Sequence, residues 1–155
     1  SNFSPEEYRV HHAVVYTNDV NLSLRSRIIQ QYEGYESYTI IARSALVTSS
    51  SKIAGGCALM EGAIVNGAIL AQNSVINTKA VIEHGCILGN NVFVGPGAIV
   101  CGDTCIGDNV LVGAGVIIRD GIEITENVTI GMGSVVVRSI VEPGVYLGNP
   151  CRKIR

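Results

Sequence analysis

From Leu70 to Val136 every sixth residue is aliphatic: Leu70, Ile76, Ile82, Leu88, Val94, Val100, Ile106, Val112, Ile118, Ile124, Ile130 and Val136. Four places after each comes a small or β-branched residue: Ser74, Ala80, Cys86, Val92, Ala98, Thr104, Val110, Val116, Ile122, Val128 and Ser134. Turn formers fill the gaps, as in Gly89-Asn90-Asn91, Gly95-Pro96-Gly97 and Gly107-Asp108-Asn109. An amphipathic helix does not repeat every six residues, and a plain strand repeats every two.

Within one short strand, alternate side chains point the same way, so each aliphatic residue and the one two places before it share an inward face. The three residues that follow must turn the chain, and Gly, Asn and Asp accept the positive φ that such turns use. A strand and a turn every six residues, with inward sets that never drift, describes a solenoid of stacked β-coils. Three hexads make a coil of about eighteen residues, and coils stack about 4.8 Å apart. Ile82, Val100 and Ile118 then line one interior face. The rhythm begins earlier than Leu70, at Ile41, Val47, Ile53, Leu59 and Val65. The step from Val65 to Leu70 is one residue short, which predicts a tighter turn at Asn66-Gly67. From Ile41 to Val136 the chain has room for five coils and part of a sixth.

Composition changes near residue 41. Only Gly34 of the eighteen glycines precedes it, as do five of the six tyrosines. Ala13-Val14-Val15-Tyr16 reads as a strand, with Asn18 or Asp19 able to cap a following helix. Leu22, Leu24, Ile28 and Ile29 form that helix's apolar face, with Arg25 and Arg27 outside, and Gly34 ends it. Tyr38-Thr39-Ile40-Ile41 reads as a second strand. A partial α/β segment thus occupies 1–43, the solenoid 44–136, and a cap and tail 137–155. The α/β segment is too small for a core of its own and should pack on the solenoid, on a further partner, or on both. A solenoid end needs covering because open strand edges recruit other chains, and Glu142-Pro143-Gly144 with the tail beyond it supplies a cover.

The net charge of −2 gives no basic footprint for nucleic acid or an anionic membrane surface. A mean hydropathy of +0.35 raises the membrane question. The uncharged stretch 85–102, however, is broken by glycines, Asn90, Asn91 and Pro96, unlike a lipid-facing helix. Cys57 and Cys86 fall on inward positions, and Cys101 and Cys105 form an isolated C-x3-C. An odd, irregular set of five thiols suits a reducing cytoplasm.

The repeats resemble those of the hexapeptide acyltransferases. That resemblance implies a mainly β chain folded as a left-handed parallel β-helix; general crossover preference would have favoured the opposite hand. The segment Ile76-Asn77-Thr78-Lys79-Ala80-Val81-Ile82-Glu83-His84-Gly85-Cys86-Ile87-Leu88-Gly89 is more specific. It resembles the signature of bacterial acetyltransferases that modify sialic acids or nucleotide-linked amino sugars, whose small N-terminal α/β domain residues 13–45 also resemble. The chain departs from that pattern at Gly85, where an acidic residue commonly follows the histidine, and at Phe93, where a second histidine is often found. The I-H-P-S-A that usually joins the two domains reads Ile41-Ala42-Arg43-Ser44-Ala45 here.

The resemblance implies an acetyl-CoA-dependent acetyltransferase, a small-molecule sugar acceptor (amine or hydroxyl) and a homotrimer with the coenzyme between adjacent prisms. His84, the only histidine of the solenoid, sits at a turn position. An imidazole titrating near pH 6.5 can take a proton from an amine or hydroxyl at neutral pH. Bare N–H groups of glycine turns can face the oxygen on which charge develops. Glu83 adjoins His84 and reads either as a group that orients it or raises its basicity or as a solvated carboxylate, since neighbouring turn side chains often diverge. Asn77, at the same type of corner, and Gly102, one coil above His84, are assigned to substrate. Gly95, Gly113, Ala114, Gly131 and Met132 are assigned to the coenzyme. Read without the resemblance, His84 is also a solvated turn residue, Asn77 a turn asparagine and the glycines turn glycines. Other readings are a transferase for another small acceptor and a non-catalytic oligomerisation scaffold. A zinc hydratase on this fold needs several histidines on adjacent coils, which His84 alone does not supply.

Overall fold

The structure, a computed structural model, describes residues 4–12, 25 and 27–155. From Ile40 onward the backbone winds as a left-handed parallel β-helix with three faces. Face 1 stacks Ile40–Ile41, Ala58–Leu59, Val75–Ile76, Phe93–Val94, Leu111–Val112, Val128–Ile130 and Gly144–Leu147. Face 2 stacks Leu46–Val47, Ile64–Val65, Val81–Ile82, Ile99–Val100, Ile117–Ile118 and Val135–Val136. Face 3 stacks Lys52–Ile53, Ile69–Leu70, Ile87–Leu88, Cys105–Ile106 and Glu123–Ile124.

Both inward sets read from the hexad are buried. The twelve aliphatics from Leu70 to Val136 are at most 3% exposed, and Ser74, Ala80, Cys86, Val92, Ala98 and their successors pack between them. Ile82 pairs with Val100, and Val100 with Ile118, in register along face 2. The tight turn at Gly67 takes up the missing residue: Val65 pairs with Ile82 and Ile53 with Leu70, and the regular spacing resumes from Leu70 to Leu88. From Gly56 to Gly133 each corner holds one positive-φ residue per coil. On the corner between faces 3 and 1 these are Gly56, Asn73, Asn91, Asn109 and Asn127.

Stacking sets a second rule at the corners. A Cβ on Gly113 would lie 2.6 Å from Met132 N and 2.8 Å from the Ile130 carbonyl oxygen. On Gly95 it would meet Ala114 N at 2.7 Å. Gly107 stands in the same relation to Glu126 N on another corner, at 2.7 Å. These α-carbons face along the axis into the next coil's backbone, so they carry no side chain.

The tail continues the coil although its hexad has lapsed. Ile140 bridges Ile124, and Gly144–Leu147 extends face 1 beside Val128–Ile130. Arg152–Lys153 then pairs antiparallel with Leu147 and Tyr146, covering that end.

The N-terminal segment differs from expectation in three ways. Arg9–Val10 pairs in parallel with Glu36–Ser37, whereas Ile40–Ile41, expected in that second strand, pairs with Ala58–Leu59 as the solenoid's first rung. The helix has ended by Gln30, and Gln31–Gly34 form turns. Arg25, expected outside, is 1% exposed. Its Nη1 donates to Asn91 Oδ1 at 3.0 Å and its Nη2 to the Asn73 carbonyl at 2.8 Å. The surface it docks on is a polar turn rather than an apolar sheet, and a guanidinium fork matches two oxygens there. The strand read at Ala13–Tyr16, the cap at Asn18 or Asp19, and Leu22 and Leu24 lie outside the described residues. Among the described residues no helix is long and apolar enough to cross a membrane.

Two stability outcomes follow from this packing. Ile82→Ala should lower unfolding free energy by about 2–5 kcal/mol in chemical denaturation, because the coils above and below cannot close the cavity. Gly113→Ala should cost about 1–3 kcal/mol by the same measurement, because its Cβ meets backbone.

Candidate active site

His84 lies on the corner between faces 2 and 3, and its side chain is exposed. Its carbonyl accepts from Asp103 N at 2.8 Å, which locks this turn to the next. The imidazole lies against Gly102: a Cβ there would be 2.7 Å from Cε1 and 2.9 Å from Nε2. Gly102 is buried although it sits at a corner. In the reverse direction, Asp103 places Oδ1 over the α-carbon of Gly85, which has φ +70°. The two turns therefore interlock, each side chain resting on the other turn's glycine.

Glu83 is half-buried, and its Oε2 accepts from Asn66 Nδ2 at 2.9 Å. That bond ties Glu83 to the coil below rather than to the His84 ring. Sequence reading passed over Asn66 and Asp103. The coil spacing was the signal available, since it sets Asn66 beneath Glu83 and Asp103 above Gly85. Cys86 and Cys101 lie just inside this corner, with Cys86 Sγ donating to the Cys101 carbonyl at 3.1 Å. Burial pushes both thiols up from their ordinary range, and nearby carboxylates add to it: Asp103 and Glu83 for Cys86, Asp120 and Glu83 for Cys101. Both thiols stay protonated at neutral pH and are poor nucleophiles.

The other candidates occupy a different corner, between faces 1 and 2. Asn77 is there, not beside His84, and its Oδ1 accepts from Thr78 N at 2.7 Å. Its place follows from register, because Asn77 N donates to the Val94 carbonyl on face 1 before the chain turns toward face 2. Gly95, Gly113 and Gly131 follow in successive coils, but their α-carbons face the next coil: a Cβ on Gly131 would meet Leu147 Cδ1. The outward bare surface lies two residues on, at Gly97, Gly115 and Gly133, where a Cβ would meet nothing within 4 Å. Pro96, Ala114 and Met132 flank it, and Met132 is 76% exposed. Backbone bonds from Gly97 to Thr78, Gly115 to Pro96 and Gly133 to Ala114 hold this strip straight. The G-x-G repeated as Gly95-Pro96-Gly97, Gly113-Ala114-Gly115 and Gly131-Met132-Gly133 was visible in the chain. Only the structure separates the stacking glycine of each pair from the outward one. In the tail, Lys153 Nζ is engaged by Glu142 at 2.8 Å.

One imidazole beside a seat of glycine, and a smooth strip long enough for an extended chain, suit transfer of a group from a long carrier. Comparison with known proteins agrees. A family model described as bacterial transferase hexapeptide (six repeats) matches residues 103–138. No curated protein matches the chain by sequence search. Among solved structures, the acetyltransferase domain of PglB from Neisseria gonorrhoeae is 30% identical with a TM-score of 0.91, over 99% of this chain and 74% of that one. The same domain in complex with acetyl coenzyme A is 29% identical with a TM-score of 0.88, over 98% of this chain and 73% of that one. A histidine-replaced mutant of perosamine N-acetyltransferase from Caulobacter crescentus, in complex with CoA and GDP-perosamine, is 26% identical with a TM-score of 0.87. The match to that mutant spans 96% of this chain and 70% of the other. With a relative this similar over 99% of the chain and 74% of its own length, the chain belongs to the hexapeptide-repeat sugar acetyltransferases.

Proposed function

We propose that this protein uses acetyl-CoA to acetylate the amino group of a nucleotide-linked amino sugar, with His84 as the general base. The observation that carries the reading is the exposed imidazole of His84 seated on bare Gly102, within a solenoid of this family. Acetyl-CoA would supply an acetyl group activated as a thioester. The strip of Gly97, Gly115 and Gly133 fits its narrow pantetheine arm, because no side chain stands in the way and the backbone there is open. Coils about 4.8 Å apart give that strip a length of roughly 10 Å. Pro96, Ala114 and Met132 would border the arm.

His84 takes the proton that the acceptor nitrogen must shed as it forms its new bond, and can return it to the departing thiolate. Glu83, Asp103 and Asp120 share the His84 corner with Arg119 and Arg138, and Asp103 stands against the His84 turn, over Gly85. Its carboxylate would draw in a cationic ammonium, which favours an amine over a sugar hydroxyl as acceptor. The GDP-perosamine carried by the relative from Caulobacter crescentus is an acceptor of this chemical kind. The thiols at Cys57, Cys86, Cys101, Cys105 and Cys151 are free, which suits a cytoplasmic enzyme.

His84 and the glycine strip flank face 2 from opposite corners, so the working site needs two copies of the chain. The outward positions of face 2 are Leu46, Ile64, Val81, Ile99, Ile117 and Val135. Leu46, Ile99 and Ile117 are exposed, at 64%, 37% and 42%. An all-aliphatic sheet face asks for a partner. A homotrimer that turns face 2 of each prism toward a common axis covers it. The same arrangement brings the His84 corner of one copy to the glycine strip of the next.

Acetyl transfer is to be measured on a panel of nucleotide-linked amino sugars and sialic acids. His84→Ala should reduce turnover by about 10²–10⁴-fold, with acetyl-CoA binding and melting temperature retained. Near-normal turnover in that variant, or a preference for sialic acid hydroxyls, would overturn the corresponding part of the reading. Light scattering should give a trimer, and the double variant Ile99→Glu, Ile117→Glu should give a folded monomer with little activity. A wild-type monomer at micromolar concentration would count against the shared site.

A further inference from the structure

A titratable side chain on an exposed turn ordinarily samples several rotamers, and a general base needs one. The structure gives the His84 ring a specific place. Its Cε1, Nε2 and Nδ1 lie 2.7, 2.9 and 3.2 Å from where a Cβ on Gly102 would stand, so three ring atoms rest on one bare α-carbon. Gly102 has no need of glycine for its own backbone, because its φ lies outside the left-handed region. Its three nearest atoms are all from the ring, whereas at Gly95 and Gly113 the three nearest are backbone. At this position the space kept free belongs to His84.

The base of the side chain is held as well. The His84 carbonyl is bonded to Asp103 N, and its Cα and Cβ stand over Gly67 of the coil below, 3.9 Å from where a Cβ would be. His84 thus has glycine on both sides along the axis, Gly67 beneath its Cα and Cβ and Gly102 above its ring. Asp103 Oδ1 fills the reciprocal place over Gly85, which keeps the two turns in register and the seat in place.

We propose that Gly102 is a positioning residue, whose missing side chain holds the His84 imidazole in the orientation that proton transfer needs. The proposal rests on the reading of His84 as the base, and it predicts a signature separate from loss of that base. Any Cβ at residue 102 displaces the ring. The ring is the movable end of a side chain, so the backbone stays where it is.

The test compares wild type, Gly102→Ala, His84→Ala and the double variant. Turnover, the Michaelis constant for acetyl-CoA, melting temperature and the NMR signal of the His84 Cε1–H group are the readouts. That signal is assigned by its loss in His84→Ala. In Gly102→Ala the signal should shift and kcat should fall about 10²-fold, the cost of a misplaced reacting group, with the acetyl-CoA constant unchanged. Any drop in melting temperature caused by Gly102→Ala should vanish when His84 is also Ala, because the ring is what the new methyl meets. A shifted ring with normal turnover overturns the proposal. So does lost turnover with an unmoved ring, which would make Gly102 a substrate contact instead. A melting or folding defect that persists in the double variant means the methyl meets backbone, and also overturns it. Normal turnover in His84→Ala would instead remove His84 as the base, and the NMR and melting comparison would still decide whether Gly102 seats its ring.

Discussion

Backbone hydrogen bonds between successive coils are the interaction on which the rest of this structure depends. Each strand donates to and accepts from the strand one coil away, and the registers run unbroken along all three faces. That spacing leaves only a strand's width between equivalent residues. Side chains can point inward, where they fill the core, or outward; at the corners a third direction, along the axis, is closed by the next coil. Gly95, Gly107 and Gly113 mark where the chain would have to point that way.

The same constraint turns a linear sequence into columns. Residues far apart in the chain stand above one another with the precision of a hydrogen-bonded ladder. Asn66 meets Glu83, Gly102 receives the His84 ring, and Asp103 covers Gly85. The corner proposed for catalysis is built this way, from stacked turns. Its rigidity comes from the coils above and below, which suits a base that must hold one orientation. The column on the neighbouring corner does the opposite work, leaving Gly97, Gly115 and Gly133 bare and outward. Face 2 lies between the two columns, and its aliphatic outer side links chemistry to assembly.

The hexad was legible because burial has a strict period in this fold. Leu70, Ile76, Ile82 and their successors could be placed inward from spacing alone, and Ser74, Ala80 and Cys86 with them. The short turn at Gly67 was legible for the same reason, since a lost residue must appear as a lost turn position. The N-terminal segment obeys no such rule. Arg25 looked like a solvated helix residue, yet it is buried against Asn73 and Asn91, because its partner surface comes from elsewhere in the chain. Ile41 was legible in two ways, as the end of the second α/β strand and as the first beat of the hexad, and pairing of Ile40–Ile41 with Ala58–Leu59 decides for the solenoid.

Sequence by itself determined the coil: its period, its inward sets, its turns and the candidate base, because each of these follows from local geometry repeated without drift. Family resemblance supplied the hand and the chemistry. Tertiary structure alone decided which side chains meet within and between the columns. It set Glu83 on Asn66, parted Asn77 from His84, and moved the bare strip from Gly95, Gly113 and Gly131 to Gly97, Gly115 and Gly133. The physical reason is direction. Spacing tells which corner a residue occupies, but whether its α-carbon faces the next coil or the solvent depends on backbone torsions that composition does not reveal.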